Sequence, residues 1–347
     1  MPPRIIDYGT AINEALSQEM ERAPEIIIMG EDIAGAAGRA EQGFIDAWGG
    51  PFGATHGLIQ KFGPERVRDT PLSECGFVGA GIGAACTGLR PIVELMFSDF
   101  AGVAFDQILN QMPKLRYMFG GKVSVPITIR TTIGAGFRAA GHHSQCLYNI
   151  YTHIPGVKVV VPSTPYDVKG LLAAAIRDDD PVIVCEHKGL YKFKGEVPEQ
   201  SYTIPLGLAD VKRKGNDVTI VGISKMVHIA LEAARSLQDE GISAEVIDPR
   251  SLSPLDEETI LASVRKTNHL VVVDESHPRC SLASEIAAVV AEKAFDSLDA
   301  SIQRVMGLHT PVPFSPSYED FFIPSADRVV TAVKTTLDLV ASHGRPH

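Results

Sequence analysis

The stretch "HIPGVKVVVPSTPYDVKGLLAAAIRDDDPVIVCEHK", at positions 153–188, contains a complete strand–helix–strand pattern. Apolar, mostly β-branched runs at 157–162 and 181–186 predict two buried strands. Between them, residues 165–177 carry apolar side chains at helical spacing, which predicts a helix. Apolar strands that alternate with helices are typical of a parallel sheet covered on both faces. This stretch therefore predicts an α/β fold.

The same alternation extends toward the N-terminus. Apolar runs predict strands at 25–30, 91–96 and 125–133. Helical patterns lie at 8–22, 74–89 and 98–112. Residues 32–55 form a long segment rich in glycine and alanine, and loops of that length are usually functional or disordered.

The periodicity is lost over residues 188–206, which carry charges and prolines and predict a domain boundary. Beyond it, strands are predicted at 217–223, 242–249, 269–275 and 301–307. Helices are predicted at 225–240, 256–267, 280–296 and 325–342. The 347 residues therefore predict two α/β domains, at 1–190 and 207–347, joined by a linker at 191–206.

Composition excludes several classes of protein. A net charge of −10 disfavours nucleic acid and anionic membranes as partners, because such surfaces need clustered Lys and Arg. No apolar run approaches the ~20 residues that span a bilayer, and the N-terminus lacks the apolar core of an export signal. The five cysteines are scattered without a CxxC motif, so we expect neither a disulfide framework nor a zinc knuckle. A cytoplasmic protein is expected.

A single acid, Glu74, begins a run of small and apolar residues. The small residues recur at helical spacing, so another backbone or a flat ligand could approach them closely; they are Gly76, Gly79, Ala80, Gly83, Ala84 and Gly88. The simplest role for Glu74 is to favour a helix dipole after Ser73, a candidate N-cap. The alternative is a carboxyl group that exchanges a proton with a buried ring nitrogen, since no basic residue flanks it.

A glycine-rich loop carries His142 and His143 beyond the strand predicted at 125–133. Ligands of open α/β sheets bind beyond the carboxyl ends of the strands, and histidine moves protons near neutral pH. A surface position is the competing interpretation. The segment "GAGFRA" at 134–139 fits a dinucleotide fingerprint only weakly, because no amphipathic helix follows it. No P-loop, GxSxG, HExxH or EF-hand pattern occurs.

Several long segments together resemble one family, and the resemblance covers about residues 5–340. The segments are "DTPLSECGFVGAGIGAA" (69–85), "ELMFSDFAGVAFDQILNQMPKLRYMFGG" (94–121), "HHSQ" (142–145), the opening stretch and "EVIDPRSLSPLDEETI" (245–260). The family is the β subunit of thiamine diphosphate-dependent 2-oxoacid dehydrogenases, which serves pyruvate, branched-chain 2-oxoacid and acetoin dehydrogenase complexes. It implies an N-terminal parallel-sheet module that binds the thiamine pyrimidine and a C-terminal transketolase-type α/β domain.

The resemblance implies roles for individual residues. Glu74 matches the activating glutamate, which hydrogen-bonds the aminopyrimidine and promotes the imino tautomer that deprotonates the thiazolium carbon. Leu72 and Phe100 match residues that lie against the pyrimidine. Val103 stands where some pyruvate-specific relatives have glutamine, which removes one polar cofactor contact. His143 matches the histidine that assists acyl transfer to the lipoyl group, whereas the neighbouring His142 has no implied role.

The resemblance also implies metals and partners. Some relatives bind potassium through backbone carbonyls, and the matching positions are Ile127, Ala175, Ile176, Asp178 and Asp180. Thiamine enzymes hold the diphosphate and magnesium with a "GDG" segment, which this chain lacks. An α subunit is therefore expected to bring the magnesium site, in an α2β2 heterotetramer docked on a dihydrolipoyl acyltransferase core with its lipoyl domain.

Three segments look closer to acetoin dehydrogenase than to pyruvate or branched-chain types, namely "AWGGPFGATHGL" (47–58), "ELMFSDFAG" (94–102) and "GAGFRAAGHHSQ" (134–145). The implied reaction cleaves acetoin, releases acetaldehyde and transfers the acetyl group to lipoamide. Oxidative decarboxylation of pyruvate or a branched-chain 2-oxoacid is the alternative, and Arg138 or His142 could serve its carboxylate. A non-catalytic scaffold subunit is a third interpretation, disfavoured by the presence of both Glu74 and His143.

Overall fold

A computed structural model describes residues 3–34 and 49–342 of the chain. Most of the glycine- and alanine-rich loop predicted at 32–55, and the start of the segment at 47–58, lie outside the described residues. The chain forms two compact units, one of Met1–Ile133 and His142–Leu206, the other of Gly134–Gly141 and Gly207–His347. Along the described ranges, no helix is both long and apolar enough to cross a membrane.

The first unit is built on a parallel sheet. Its strands are β1 (Ile5–Asp7), β2 (Ile26–Gly30), β3 (Val67–Asp69), β4 (Arg90–Phe97), β5 (Thr128–Ile133), β6 (Lys158–Val160), β7 (Val182–His187) and β8 (Lys194–Glu196). Strands β2 to β7 pair in parallel in the order β6-β7-β5-β4-β2-β3. The remaining two, β1 and β8, form a separate antiparallel ribbon. The parallel α/β sheet expected from the sequence is confirmed.

Helices cover both faces of this sheet. They are α1 (Tyr8–Arg22), α2 (Leu58–Phe62), α3 (Glu74–Cys86), α4 (Leu115–Met118), α5 (Tyr148–Thr152) and α6 (Pro165–Arg177). Apolar residues of α1 and α6 join Ile28 and Ile92 in one buried cluster. On the opposite face, a Cβ atom at Gly81 of α3 would lie 2.7 Å from Cγ2 of Val93. Glycine at this position therefore lets α3 pack closely on the sheet.

Local signals set the bounds of α1 and α6. The carboxylate of Asp7 accepts a hydrogen bond of 2.8 Å from the backbone N–H of Thr10 and caps α1. Thr164 caps α6 in the same way, and Pro165 occupies its first turn. Both helices coincide with those predicted at 8–22 and 165–177.

The single helix predicted at 98–112 is wrong. The segment instead contains a 3₁₀ helix at Ser98–Gly102 and a π-helical turn at Gln107–Gln111. Pattern analysis detects helical periodicity but not the hydrogen-bond register, and a π-helical turn shifts that register by one residue. The helix predicted at 74–89 ends at Cys86, before Gly88 adopts a φ of 101°.

The second unit has its own, smaller sheet. The strands of this unit are β9 (Asp210–Arg213), β10 (Val218–Gly222), β11 (Ala244–Asp248), β12 (Ser251–Ser253), β13 (Leu270–Asp274) and β14 (Gln303–Met306), and all of them except β12 belong to this sheet. Its helices are α7 (Met226–Asp239), α8 (Glu257–Thr267), α9 (Leu282–Lys293), α10 (Pro316–Phe322) and α11 (Ala326–Ser342). The sheet order is β14-β13-β10-β11-β9, parallel except for β9 at one edge. Each strand and helix predicted for residues 207–347 is present, and its observed ends lie within a few residues of the predicted ones.

The segment 134–141 groups with the second unit, although the sequence suggested a loop of the first domain. Its backbone N–H groups bond to carboxylates of Glu275 and Glu319, and no local pattern reveals such distant partners. The stretch predicted as a linker, 191–206, contains β8 and lies in the first unit. The domain limits proposed from the sequence stay predictions.

Candidate active site

The predicted site residues follow the carboxyl ends of neighbouring parallel strands of the first unit. His143 comes after β5, Phe100 and Val103 come after β4, and Leu72 and Glu74 come after β3. Strands β5, β4, β2 and β3 are consecutive in the sheet, so these residues lie along one edge of it. In open α/β sheets this is the edge at which ligands bind.

The imidazole of His143 lies in an aromatic pocket formed from β4 and the turn after it. Its ring meets that of Phe97 edge-on, with centroids 4.7 Å apart and planes at 89°. Phe100 makes a similar contact at 5.4 Å and 75°. Edge-to-face contacts of this kind restrict ring orientation. Together they fix the plane of the His143 imidazole.

Two further features hold the chain around His143. The pairing of β4 with β5 shifts register between Leu95 and Phe97, and such bulges redirect side chains at the ends of strands. On the far side of His143, the Asp99 carboxylate accepts a hydrogen bond of 2.8 Å from Nε2 of Gln145. The segment "HHSQ" is therefore tied directly to the turn after β4.

Glu74 is the first residue of α3, and its side chain is partly exposed. Ser73 stands at the N-cap as predicted, but its hydroxyl makes no capping hydrogen bond to any described residue. One face of α3, with Phe77, Val78 and Ile82, is buried against the sheet. The predicted small residues lie mostly on the other face, where a Cβ atom at Gly83 would meet no described atom within 4 Å.

Two apolar side chains near this edge are largely open to solvent. Leu72 is 85% exposed and Val103 is 60% exposed. Single exposed apolar residues are ordinary on a protein surface. Here they flank Glu74 and Phe100 in sequence, so this edge of the sheet offers apolar surface beside a carboxyl group.

Glu31 is a candidate that sequence patterns did not single out. It follows the carboxyl end of β2, the strand between β3 and β4, and is only 4% exposed. Neither carboxylate oxygen has a hydrogen-bond partner among the described residues. Burial, reinforced by the negative charges of Glu74 and Asp32, raises the pKa of Glu31 to about 7. The site therefore contains two interacting carboxyl groups on adjacent strand ends.

We expect Glu31→Gln to stabilise the purified chain at alkaline pH. A carboxyl group whose pKa rises from 4.5 to about 7 on folding binds its proton more tightly in the folded state. Its ionisation therefore opposes folding, a penalty that is absent below pH ~4.5 and complete above pH ~7. Urea unfolding should show a gain in free energy of unfolding for the glutamine variant that grows between pH ~5 and ~8. An equal gain at both ends, or a similar trend in the exposed control Glu65→Gln, would contradict this assignment.

Comparison with known proteins identifies the family. Residues 4–194 match the model "Transketolase, pyrimidine binding domain" and residues 207–329 match "Transketolase, C-terminal domain". The acetoin:2,6-dichlorophenolindophenol oxidoreductase subunit beta of Bacillus subtilis is 58% identical over 337 residues, covering 97% of this chain and 98% of the relative. The corresponding subunit of Cupriavidus necator is 59% identical over 334 residues, covering 96% and 98%. The 2-oxoisovalerate dehydrogenase subunit beta of Bacillus subtilis is 44% identical over 332 residues, covering 95% and 98%.

The chain belongs to the β-subunit family of the thiamine diphosphate-dependent acetoin and 2-oxoacid dehydrogenases. A solved structure described as "Split gene transketolase, inactive beta4 tetramer" matches this β subunit with a TM-score of 0.76 and 25% identity, over 96% of this chain and 99% of that one. The family and the two transketolase-type folds inferred from the sequence are confirmed.

The described residues of this β subunit fit the pyrimidine half of thiamine diphosphate. A flat heteroaromatic ring has an aromatic neighbour in Phe100 and apolar surface in Leu72 and Val103. Its ring nitrogens would need polar partners, and the carboxyl groups near this edge are Glu74 and Glu31, the latter with buried oxygens that have no described partner. For a magnesium diphosphate, the described residues hold no cluster of three or more His, Cys, Asp or Glu arranged as ligands. The individual contacts stay predictions.

The carbonyls predicted to bind potassium lie at the opposite edge of the sheet, and they fit a bound cation poorly. The guanidinium of Arg90 donates to the carbonyl of Ile176 at 2.9 Å and to that of Asp178 at 2.5 Å. The carbonyls of Ala175 and Ile127 accept backbone N–H groups of Asp178 and Val182. The Arg90 guanidinium already supplies positive charge at these carbonyls. The ion stays a prediction.

Arg138 is not free to bind a substrate carboxylate. Its guanidinium forms ion pairs with Glu319 at 2.5 Å and Asp320 at 2.8 Å, both in the second unit to which Arg138 belongs. The hydrogen bonds that its guanidinium donates to Asp320 and Glu319 raise the pKa of Arg138 above its usual value. His142, the other residue that could serve a substrate carboxylate, is exposed. The resemblance implies no role for it.

The residues that sequence analysis missed had only weak signals. Glu31 could have been found by its place, since an acid directly after a buried apolar strand lies at the ligand-binding edge. Phe97 and Asp99 lie in the segment "ELMFSDFAG", but their contacts with His143 and Gln145 depend on the pairing of β4 with β5. That pairing joins segments about forty residues apart and has no local signature.

Proposed function

We propose that this chain is the β subunit of an acetoin dehydrogenase. The observation that carries the proposal is the placement of Glu74 and His143 beyond the carboxyl ends of strands in one parallel sheet, β3 and β5. The choice of substrate is supported by identities of 58–59% to acetoin-oxidising relatives, against 44% to the 2-oxoisovalerate dehydrogenase subunit. It is also supported by Arg138, whose charge is matched by two carboxylates, because acetoin carries no carboxylate to bind.

In the proposed reaction, the bond between the carbonyl and carbinol carbons of acetoin breaks, and acetaldehyde leaves. The remaining two-carbon unit is oxidised to acetyl as the lipoyl disulfide takes two electrons and becomes a thioester and a thiol. When bound, thiamine diphosphate supplies the electron sink that lets a C–C bond beside a carbonyl break. The same chemistry applied to a 2-oxoacid would release carbon dioxide in place of acetaldehyde.

Glu74 is proposed to hold a proton at a ring nitrogen of the pyrimidine. Its place at the start of α3 lies within electrostatic reach of the buried carboxyl of Glu31. Phe100, Leu72 and Val103 would lie against the ring and exclude water, which would compete for the hydrogen bond of Glu74. The glutamate thereby orients the cofactor and sets its protonation.

His143 is proposed to serve the later step, the transfer to lipoamide. An imidazole nitrogen would give a proton to the lipoyl sulfur that is released as the other sulfur takes the acetyl group. The edge-on contacts with Phe97 and Phe100 leave this ring little freedom, which favours a fixed direction of proton transfer.

The partners are proposed from the family. An α subunit would supply the diphosphate and magnesium site in an α2β2 heterotetramer, and a dihydrolipoyl acyltransferase core would present the lipoyl domain. The exposed small-residue face of α3 supports close packing of the α subunit against Glu74. The cytoplasmic location expected from the sequence also stays a prediction.

The proposal is tested by co-expressing this chain with its α subunit. The heterotetramer should show a larger kcat/KM for acetoin than for pyruvate or 2-oxoisovalerate, because that ratio measures discrimination in the transition state. If either 2-oxoacid is preferred by about tenfold, or ~1.4 kcal/mol, the acetoin assignment is wrong and the 2-oxoacid alternative holds. Absence of turnover with all three substrates would favour a scaffold subunit.

A further inference from the structure

The end of β4 and the turn after it hold the imidazole of His143 with two aromatic rings. Phe97 and Phe100 meet that imidazole edge-on, as described above. The Phe97 ring is itself fixed, because Phe52 meets it edge-on at 5.9 Å and Nζ of Lys188 lies 5.6 Å from its centroid. These contacts set the plane of the imidazole, but they do not fix the backbone that carries it.

Asp99 lies between these two aromatic residues in sequence and holds the chain after His143. Its Oδ1 accepts a hydrogen bond of 2.8 Å from Nε2 of Gln145 and one of 3.4 Å from the backbone N–H of the same residue. A carboxylate acceptor makes a stronger hydrogen bond than a neutral one. The other oxygen, Oδ2, is buried and has no partner in the part of the chain that the structure describes. A carboxylate that is only half satisfied costs free energy, so stability alone does not explain this residue.

A second hydrogen bond from the same turn reaches further along the chain. The hydroxyl oxygens of Ser98 and Tyr151 are 2.8 Å apart, and both side chains are buried. Tyr151 lies in α5, eight residues after His143, whereas Gln145 lies only two residues after it. The bond between Asp99 and Gln145 is therefore the one of these two restraints that acts closer to the imidazole.

We infer that Asp99 is a positioning residue, which fixes the place of His143 through Gln145. All three residues belong to the first unit. The inference rests on the proposed role of His143 in transfer to lipoamide, and it assigns Asp99 no contact with substrate or cofactor. A displacement of about 1 Å in a reacting group can lower a rate by roughly 100-fold. The aromatic rings set the plane of the imidazole and Asp99 sets the position of its chain, and together they define the direction in which the proton is given.

The test uses Asp99→Ala in the heterotetramer reconstituted with the α subunit. The substitution removes the acceptor of both hydrogen bonds from Gln145 and leaves Phe97 and Phe100 in place. We expect acetylation of a lipoyl domain to fall by roughly 10- to 100-fold. The rate with ferricyanide, which bypasses the lipoyl group, should change far less, because the proposed steps before the transfer do not use His143. His143→Ala is the reference variant and should show the same split between the two acceptors.

Gln145→Ala removes the side-chain hydrogen bond from the other end, and it keeps the test if Asp99→Ala fails to fold, since Gln145 is partly exposed. It should show a loss of similar size, again confined to lipoyl acetylation. The double variant should be no slower than the slower single variant, because the effects of residues that share one bond are not additive. Asp99→Asn keeps an acceptor oxygen for the glutamine amide and should recover most of the rate that Asp99→Ala loses.

Asp106→Ala is the matched control. Asp106 is an exposed acid seven residues later in the same stretch, and its carboxylate also accepts side-chain amides, from Asn110 at 2.8 Å and from Gln111 at 3.2 Å. None of these contacts involves residues 142–145. The variant should leave both rates close to those of the wild type.

Equal loss with both acceptors in Asp99→Ala, no loss with either, or losses that multiply in the double variant would overturn the inference and leave Asp99 as a structural residue. Failure of the proposed function gives different results. If His143→Ala itself shows no split, the inference fails together with the role of His143. If the wild type does not turn over acetoin, the split is measured with whichever 2-oxoacid it uses, because transfer to lipoamide is common to both reactions. A chain that supports turnover of no substrate would overturn both.

Discussion

Replacing Glu74 with glutamine should lower the turnover of the assembled enzyme by at least ~100-fold, the low end of what a positioned acid or base contributes. Glutamine has nearly the same shape and can still form a hydrogen bond, but it cannot exchange a proton with a ring nitrogen. Because Glu74 is partly exposed at the first turn of α3, the substitution should not disturb the fold. The effect should therefore be chemical.

The measurement that isolates this effect is hydrogen–deuterium exchange at the reactive carbon of the bound cofactor, with cofactor affinity measured in parallel. In Glu74→Gln, the exchange rate should fall in parallel with the turnover rate, whereas the affinity for the cofactor should change little. Glu65→Gln is the control, since Glu65 is an acid of the same unit with a fully solvated side chain, 91% exposed. Exchange at the wild-type rate in Glu74→Gln would assign Glu74 to the helix dipole alone.

Arg130→Met should destabilise the first unit by about 3–5 kcal/mol, the cost of leaving buried charges without their partner. Arg130, in β5, is 2% exposed and forms two parallel hydrogen bonds with Glu186, of 2.8 and 2.9 Å. Its third contact is Glu94, directly opposite in β4, at 2.6 Å. Burial acts to lower the pKa of Arg130, but the charges of the two glutamates raise it above its usual value.

Two buried carboxylates would lose their only described cation in this variant, and burial already raises the pKa of Glu94. Urea unfolding followed by circular dichroism measures the loss of free energy. Arg68→Met is the control, because Arg68 pairs with Glu65 at 3.6 Å on the surface and such pairs contribute ~1 kcal/mol or less. If both variants lost a similar small free energy of unfolding, other groups would be compensating the charges of Glu94 and Glu186 when Arg130 is removed.

The elements that sequence analysis predicted well are those with local signals. Helix α6 has a capping threonine, a proline in its first turn and an apolar stripe, all within residues 164–177. The buried strands are continuous apolar runs, and their alternation with helices determines a parallel sheet. The family resemblance added residue roles that no periodicity could supply.

The elements that were missed depend on distant partners. The backbone conformation of residues 134–141 depends on hydrogen bonds to Glu275 and Glu319. No local pattern in the sequence indicates that these two glutamates contact a glycine-rich loop. The π-helical turn at Gln107–Gln111 has the composition of an ordinary helix. Glu31 belongs to the candidate site because β2 lies between β3 and β4 in the sheet. No single segment of the sequence specifies this strand order.

The ribbon formed by β1 and β8 bears on how the chain folds during its synthesis. Ile5–Asp7 leave the ribosome early, but their partners, Lys194–Glu196, are roughly 190 residues later in the chain. At about 5–20 residues per second, this interval is roughly 10–40 s. During that time the edge of β1 has no partner strand, and α1 has no α6 to pack against. The apolar face of α1 therefore stays uncovered until α6 emerges, shortly before β8, and the nascent first unit should engage chaperones until then.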